Sequence, residues 1–288
     1  MQVDTEWEKT MEMAGAAEFA QHYESKDLLE RLKLALAGMG QQAGRLGPEV
    51  LAPLDQFHSR ALDATVELAQ ALKIDRSTRV LDIGSGLGGP SRYLAATYGC
   101  TVHGIDLSAS FVEAAAFLAQ RTGLSDRVTY QCADALSLPF DADAFDLAWT
   151  QHVAMNIVDR AAFYREAARV LRTGGHLAVF DVIAASGDPL HFPVPWAKGP
   201  EASFLMTEDQ MHGVLTEQGF RSVSWINTTQ AGIDWFAQRQ KQQVQQSAPP
   251  AFGLHLAMGP GFGQMTANLA RNLREGRAAL VQAIYEKA

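Results

Sequence analysis

From Arg79 to Ile183 the chain alternates short β-rich apolar runs with stretches whose apolar residues recur at helical spacing. The runs predict strands over Arg79–Ile83, Thr101–Ile105, Val128–Ala133, Phe145–Thr150 and Gly175–Ile183. Between them, Ser110 with Glu113 reads as a helix-opening capping box, and Gly123 as a helix stop. Such alternation implies a parallel sheet with helices on both faces. Upstream, residues 11–40 are helix-like, with Leu28, Leu29, Leu32 and Leu36 at helical spacing. Gly44, Gly47 and Pro48 make 44–53 read as a loop, and a second helix is expected over Leu54–Leu72.

After Ile183 the pattern changes. Residues 186–200 hold four prolines and two glycines and predict a loop. Thr207 with Gln210 opens a helix ending near Gly219, followed by a strand at Ser222–Asn227. A glutamine-rich helix over Thr229–Gln246, a Pro/Gly break at Pro249–Gly263 and a helix over Met265–Glu275 precede a final strand at Ala279–Tyr285.

Composition narrows the function classes. Hydrophobic residues make up 47% and charged residues 19% of the 288 positions, the balance of an ordinary globular protein. The net charge of −8 and the lack of a Lys/Arg run argue against nucleic-acid binding by a basic stripe. The first residues, M-Q-V-D-T-E-W-E-K, hold no apolar core of a signal peptide, and no apolar run is long enough for a membrane span. Cys100 and Cys132 read as inert buried thiols, too few for a disulfide framework or a zinc site, which suits a reducing cytoplasm.

The chemistry concentrates at Val80–Gly89, V-L-D-I-G-S-G-L-G-G. Gly84, Gly86 and Gly89 satisfy G-x-G-x-x-G, and Asp106 lies 22 residues after Gly84, spaced to accept the hydroxyls of a ribose. An adenosine-containing cofactor follows. A dinucleotide pyrophosphate needs the bare amides of the next helix. Here Asp82 precedes the turn and Pro90, without an N–H, opens the helix. An acid repels a phosphate but suits a ligand carrying an ammonium group. S-adenosylmethionine has that ammonium, a sulfonium, a ribose and no phosphate. Gly84, Gly86 and Gly88 would let its methionine tail approach closely.

With G-I-D-L at Gly104–Leu107, A-D-A-L-S-L-P-F at Ala133–Phe140, A-F-D-L-A-W at Ala144–Trp149 and R-V-L-R-T-G-G-H-L at Arg169–Leu177, the chain resembles the class I S-adenosylmethionine-dependent methyltransferases. The likeness runs in continuous order from about Leu54 to Asn227 and is strongest to the branch with sarcosine/dimethylglycine, sugar and quinone methyltransferases. Phe262–Leu269 and Asn272–Arg277 resemble the sarcosine/dimethylglycine type more loosely. The resemblance implies an α/β fold: a Rossmann-like, doubly wound, seven-stranded, mostly parallel sheet whose last strand is antiparallel. Residues 1–72 would form a helical lid over the site, and 73–288 the core, with a helical insertion at about 229–276.

The resemblance also implies roles. Leu107 would flank the adenine, Asp134 accept its amino group, and the Ala135 amide face the ring. Asp134 alternatively caps a helix. Gln151 would border the cofactor, and His152, which titrates near neutrality, is a candidate general base. Met155 and Asn156 would shape the pocket, with His58, Trp196, Phe204 and Met206 on the acceptor side. His58, beside Arg60, alternatively packs or caps. An apolar lining suggests a partly hydrophobic small-molecule acceptor. No metal, nucleic acid or membrane span is expected, and a homodimer is left open. Two rivals stay open: an NAD(P)-dependent oxidoreductase and a non-catalytic S-adenosylmethionine-binding protein.

Overall fold

Seven strands in the order β3-β2-β1-β4-β5-β7-β6 build a single sheet. The structure is a computed structural model, and it describes residues 27–41, 44–245, 252–259 and 261–288. The strands are β1 Arg79–Ile83, β2 Thr101–Asp106, β3 Val128–Cys132, β4 Phe145–Gln151, β5 Leu171–Ala184, β6 Phe220–Asn227 and β7 Ala278–Lys287. β1 to β5 pair in parallel, and β7 enters antiparallel between β5 and β6. The doubly wound Rossmann-like sheet expected from the sequence is therefore present, and every strand falls within a few residues of its expected place.

Period-two alternation sorts each strand between the two faces. On β5, Ala178, Phe180 and Val182 join a core beneath α3 (Ala61–Gln70) and α4 (Gly89–Tyr98), while Leu177 and Val179 join the opposite core. That second core is covered by α6 (Arg160–Val170) and α7 (Glu208–Glu217). A third cluster packs α1 (Leu28–Gly38) and α2 (Pro48–Asp55) onto α5 (Ala109–Thr122) through Leu28, Leu32, Leu36, Leu51, Leu54 and Phe111. Between β6 and β7 run α8 (Thr229–Gln245), the short α9 (His255–Met258) and α10 (Phe262–Arg274), the expected insertion.

Four local expectations are corrected. Residues 48–55 form a helix and not a loop, because Pro48 at its first turn needs no hydrogen-bonded N–H. The chain leaves this helix at Asp55 and begins α3 only at Ala61, so 54–72 is not one helix. The cap of α5 is Ser108, whose hydroxyl accepts the Phe111 amide at 3.3 Å, two residues before the expected Ser110. Cys132 is exposed at the end of β3, whereas Cys100 is buried as expected. Other expectations hold: Gly123 caps α5 at φ 67°, and Thr207 with Gln210 forms the capping box of α7. Residues 11–26 of the expected first helix lie outside the described residues.

Candidate active site

The turn after β1 runs with Gly84, Gly86 and Gly88 at φ of 75°, 52° and 74°, values that favour glycine. A Cβ at Gly84 would stand 2.3 Å from a Val153 methyl, and one at Gly88 would stand 2.0 Å from the Tyr130 hydroxyl oxygen. At Gly86 the nearest atom, on the Phe57 ring, would be 3.8 Å away, so this glycine faces the crevice. Gly89 plays a different part: a Cβ there would strike the Asp55 carbonyl oxygen at 2.3 Å, so it lets α2 pack against α4. The turn is tied sideways, since the Gly84 and Ser85 amides both donate to the Ile105 carbonyl of β2.

Asp106, the last residue of β2, is buried and accepts the Gly86 amide at 2.9 Å on one oxygen and the Ser108 amide at 2.9 Å on the other. Burial raises its pKa, opposed by those backbone donors. Asp82 is also buried and accepts the Ser91 hydroxyl from the first turn of α4. Burial pushes Asp82 up to about 7, with the Ser91 bond pulling down and the negative field of Asp106 adding to the rise. The floor beneath the glycine turn therefore holds two acids whose ionisation any neighbouring cation would favour.

β4 ends at the far wall. The Gln151 side-chain oxygen accepts the Trp149 indole N–H at 2.9 Å and the Thr65 hydroxyl lies 3.2 Å away, while its amide nitrogen is buried without a partner. Thr65 also stands 2.9 Å from the Gln56 oxygen and 3.1 Å from His58 Nε2. His152 follows at φ 56°, its Nε2 buried and unpartnered, its ring 6.1 Å from that of His58. Burial, then the charge of His58, holds His152 well below the ordinary histidine range, and burial brings His58 down to about 4. The expectation that His152 titrates near neutrality is corrected: desolvation makes it a neutral imidazole throughout that range.

Gly84, Gly86, Asp106, Gln151, His152, Asn156 and Trp196 share one crevice, joined by Phe57, Phe111, Val153, Met155, Pro195 and Met258. Asp82, Gly88 and His58 stand behind its walls. Leu107 and Asp134 are exposed on the β2–β3 side, and Asp134 accepts the Leu136 amide at 2.8 Å within its own turn, where no helix follows for it to cap. Ala135 and Met206 pack with the core under the opposite face, and the Phe204 main chain is held by Met155 and Arg160. Neither Phe204 nor Met206 reaches the crevice. Val153 and Met258 were not foreseen, because nothing in their local pattern marks them. The crevice has a volume of about 90 Å3, against the several hundred of an ordinary ligand site. The crevice-facing glycines Gly84 and Gly86, Asp106 and the unpartnered Gln151 nitrogen fit S-adenosylmethionine. Among the described residues no cluster of three or more His, Cys, Asp or Glu could hold a metal ion.

Residues 81–179 match the family described as "Methyltransferase domain". That segment, about a third of the chain, is similar to a methyltransferase domain. The chain is 38% identical over 136 residues to Methyltransferase GfsG of Streptomyces halstedii, covering 47% of this chain and 48% of that protein. To Sarcosine/dimethylglycine N-methyltransferase of Halorhodospira halochloris it is 29% identical over 177 residues, 62% of this chain and 63% of that one. The chain thus spans about half the length of the first of these relatives. The crystal structure of the [4+2]-cyclase SpnF superposes with a TM-score of 0.68 at 24% identity, covering 94% of this chain and 96% of that chain, a likeness of fold.

Proposed function

We propose that the chain is an S-adenosylmethionine-dependent methyltransferase acting on a small, partly apolar acceptor. One observation carries the reading: the Gly84–Gly88 turn presents only Gly84 and Gly86 to the crevice, is bonded to Asp106 and faces Gln151 and His152 across it. In this reading Gly84 and Gly86 admit the methionine tail, with Gly88 keeping the turn in shape. Asp106 accepts the ribose hydroxyls with its remaining lone pairs. Leu107, Asp134 and Ala135 border the adenine from the β2–β3 side, and Gln151 donates its free N–H to the cofactor. Asp82 acts through its field and its hold on Ser91, without direct contact.

The bound cofactor supplies a methyl group already activated on a sulfonium. The chain's own residues then hold the acceptor in line and exclude water, and orientation of this kind is worth on the order of 7–11 kcal/mol. His152 Nε2, unpartnered, would take up the proton that an O–H or N–H acceptor loses on methylation. Met155, Asn156 and Trp196 shape the acceptor side. His58 supports His152 from behind, and Phe204 and Met206 brace the acceptor loop from outside.

The oxidoreductase reading is disfavoured by Asp82 beneath the first turn of α4, where a pyrophosphate would have to sit. A non-catalytic or cyclising protein could share this fold, as SpnF does, and turnover separates them. Release of S-adenosylhomocysteine with a panel of hydroxyl, amine and enol acceptors is the expected result; binding of the cofactor with no release for any acceptor would defeat the enzymatic reading. A reducing cytoplasm suits the unpaired Cys100 and Cys132, and the net charge of −8 argues against nucleic acid as a partner. A homodimer is compatible with this reading, which does not depend on one.

A further inference from the structure

A second cavity, of about 250 Å3, lies between α2 and the start of α3 on one side and α8 and α10 on the other. Its walls include Trp235, Phe236 and Phe262 and two arginines, Arg239 and Arg274, with no Asp or Glu among the described residues that line it. Arg239 lies over the Trp235 ring with its central carbon 4.8 Å from the centroid, a cation–π contact that fixes the group without neutralising it. Neither arginine makes an ion pair with any described residue, although other cations nearby are paired: Glu275 receives Arg271 at 2.7 Å and Arg277 at 2.6 Å. In a chain of net charge −8, two solvent-exposed guanidinium groups without an ion pair to any described residue thus share one wall. Burial lowers the pKa of Arg239, the direction expected of a cation with no counter-charge.

We infer that this cavity is a binding site, separate from the crevice, for a small organic carboxylate with a flat apolar body. The carboxylate would bridge Arg239 and Arg274, the pairing for which a planar guanidinium fork is suited. The body would lie against Trp235, Phe236 and Phe262, where apolar area leaves water. The cavity opens to solvent, and Arg239 and Arg274 are both exposed, so a free molecule can enter it from solution. Gln56 stands on this cavity's wall, and its side-chain oxygen is 2.9 Å from Thr65, which in turn reaches Gln151 of the crevice. Occupancy can thus be felt at the methyl-transfer site, but the site itself does not rest on that reading.

The test is calorimetric titration of naphthalene-2-carboxylate into the full chain saturated with S-adenosylhomocysteine, with 2-naphthylmethanol as the uncharged counterpart. The carboxylate should bind, the alcohol at least tenfold more weakly. Arg239→Gln with Arg274→Gln should weaken the carboxylate at least tenfold while S-adenosylhomocysteine affinity is retained, which also reports an intact fold. Should that double variant fail to fold, Arg274→Gln and Trp235→Leu singly take its place, each expected to weaken binding several-fold. Equal binding of carboxylate and alcohol, undiminished binding by the variants, or no binding by the wild-type chain would overturn the assignment.

Discussion

The Asp106 carboxylate reaches across from the end of β2 to hold the Gly86 amide at 2.9 Å, so the acid assigned to the ribose also fixes the crown of the glycine turn. Its loss should therefore act twice. Asp106→Ala removes a charge-assisted acceptor and frees the turn, which should weaken S-adenosylmethionine binding by about 1.5–3 kcal/mol, roughly 10- to 150-fold. Calorimetry on a variant with unaltered circular dichroism checks this. An unchanged affinity would remove Asp106 from the ribose contact.

The three left-handed glycines should respond unequally to alanine. At Gly88 the added methyl meets the Tyr130 hydroxyl at 2.0 Å, and Tyr130 is held between Arg92 and the Gly88 carbonyl. At Gly86 the methyl has space and meets only the cost of a positive φ, about 1 kcal/mol. Gly88→Ala should lower the urea midpoint well beyond Gly86→Ala, whereas Gly86→Ala should act mainly on cofactor affinity. The reverse order would show that the turn relaxes differently.

His152 gives a pH signature. Its folded pKa lies well below 6.5, so the base form is fully present at neutral pH. The rate with a hydroxyl acceptor should then be independent of His152 titration between about pH 6.5 and 8 and fall only in more acid solution. His152→Ala should lower the rate by roughly 10²–10⁴ and abolish that acid limb. A limb that survives the substitution belongs to another group.

His58 links pH to stability. Its pKa falls from 6.5 to about 4 on folding, so between those values the unfolded chain binds more protons than the folded one. Stability from this group is present above pH 6.5 and is lost as pH falls toward 4, in total about 3 kcal/mol. Relative to a His58→Gln variant, the wild-type advantage in urea unfolding should shrink by that order between pH 6.5 and 4. A constant difference would place His58 in a more polar setting than the network of Gln56 and Thr65 provides.

The buried pair of Asp55 on α2 and Arg92 on α4, 2.7 Å apart, joins the N-terminal helices to the glycine turn, since Arg92 also reaches Tyr130. Removing one partner strands the other charge in the interior. Asp55→Ala should cost about 3–5 kcal/mol, and Asp55→Ala with Arg92→Met less than the sum of the single changes. Additive losses would mean that the two charges do not depend on each other.

Much of this was readable in the chain because its signals are local. Strand runs, the glycine turn and the spacing to Asp106 are set by neighbours in sequence, and each stands where expected. Pro48 misled because proline marks both a loop and a helix's first turn; only the following apolar pattern, packed against α5, decides. Val153 and Met258 reach the crevice because distant elements converge there, and no periodicity encodes that approach. The titration of His152 was misjudged for the same reason: its desolvation comes from Phe180 and His58, brought in by β5 and the turn before α3. Asp134 shows the limit of a motif, since it follows β3 as expected while its carboxylate serves its own turn.

Titration of the chain with S-adenosylmethionine and, separately, with NAD by calorimetry puts the proposed cofactor to the most direct trial. Saturable one-to-one binding of the sulfonium compound, lost in Asp106→Ala, with no heat from NAD is the outcome expected. Binding of NAD in its place, or heat from the sulfonium compound that Asp106→Ala leaves intact, would contradict the account.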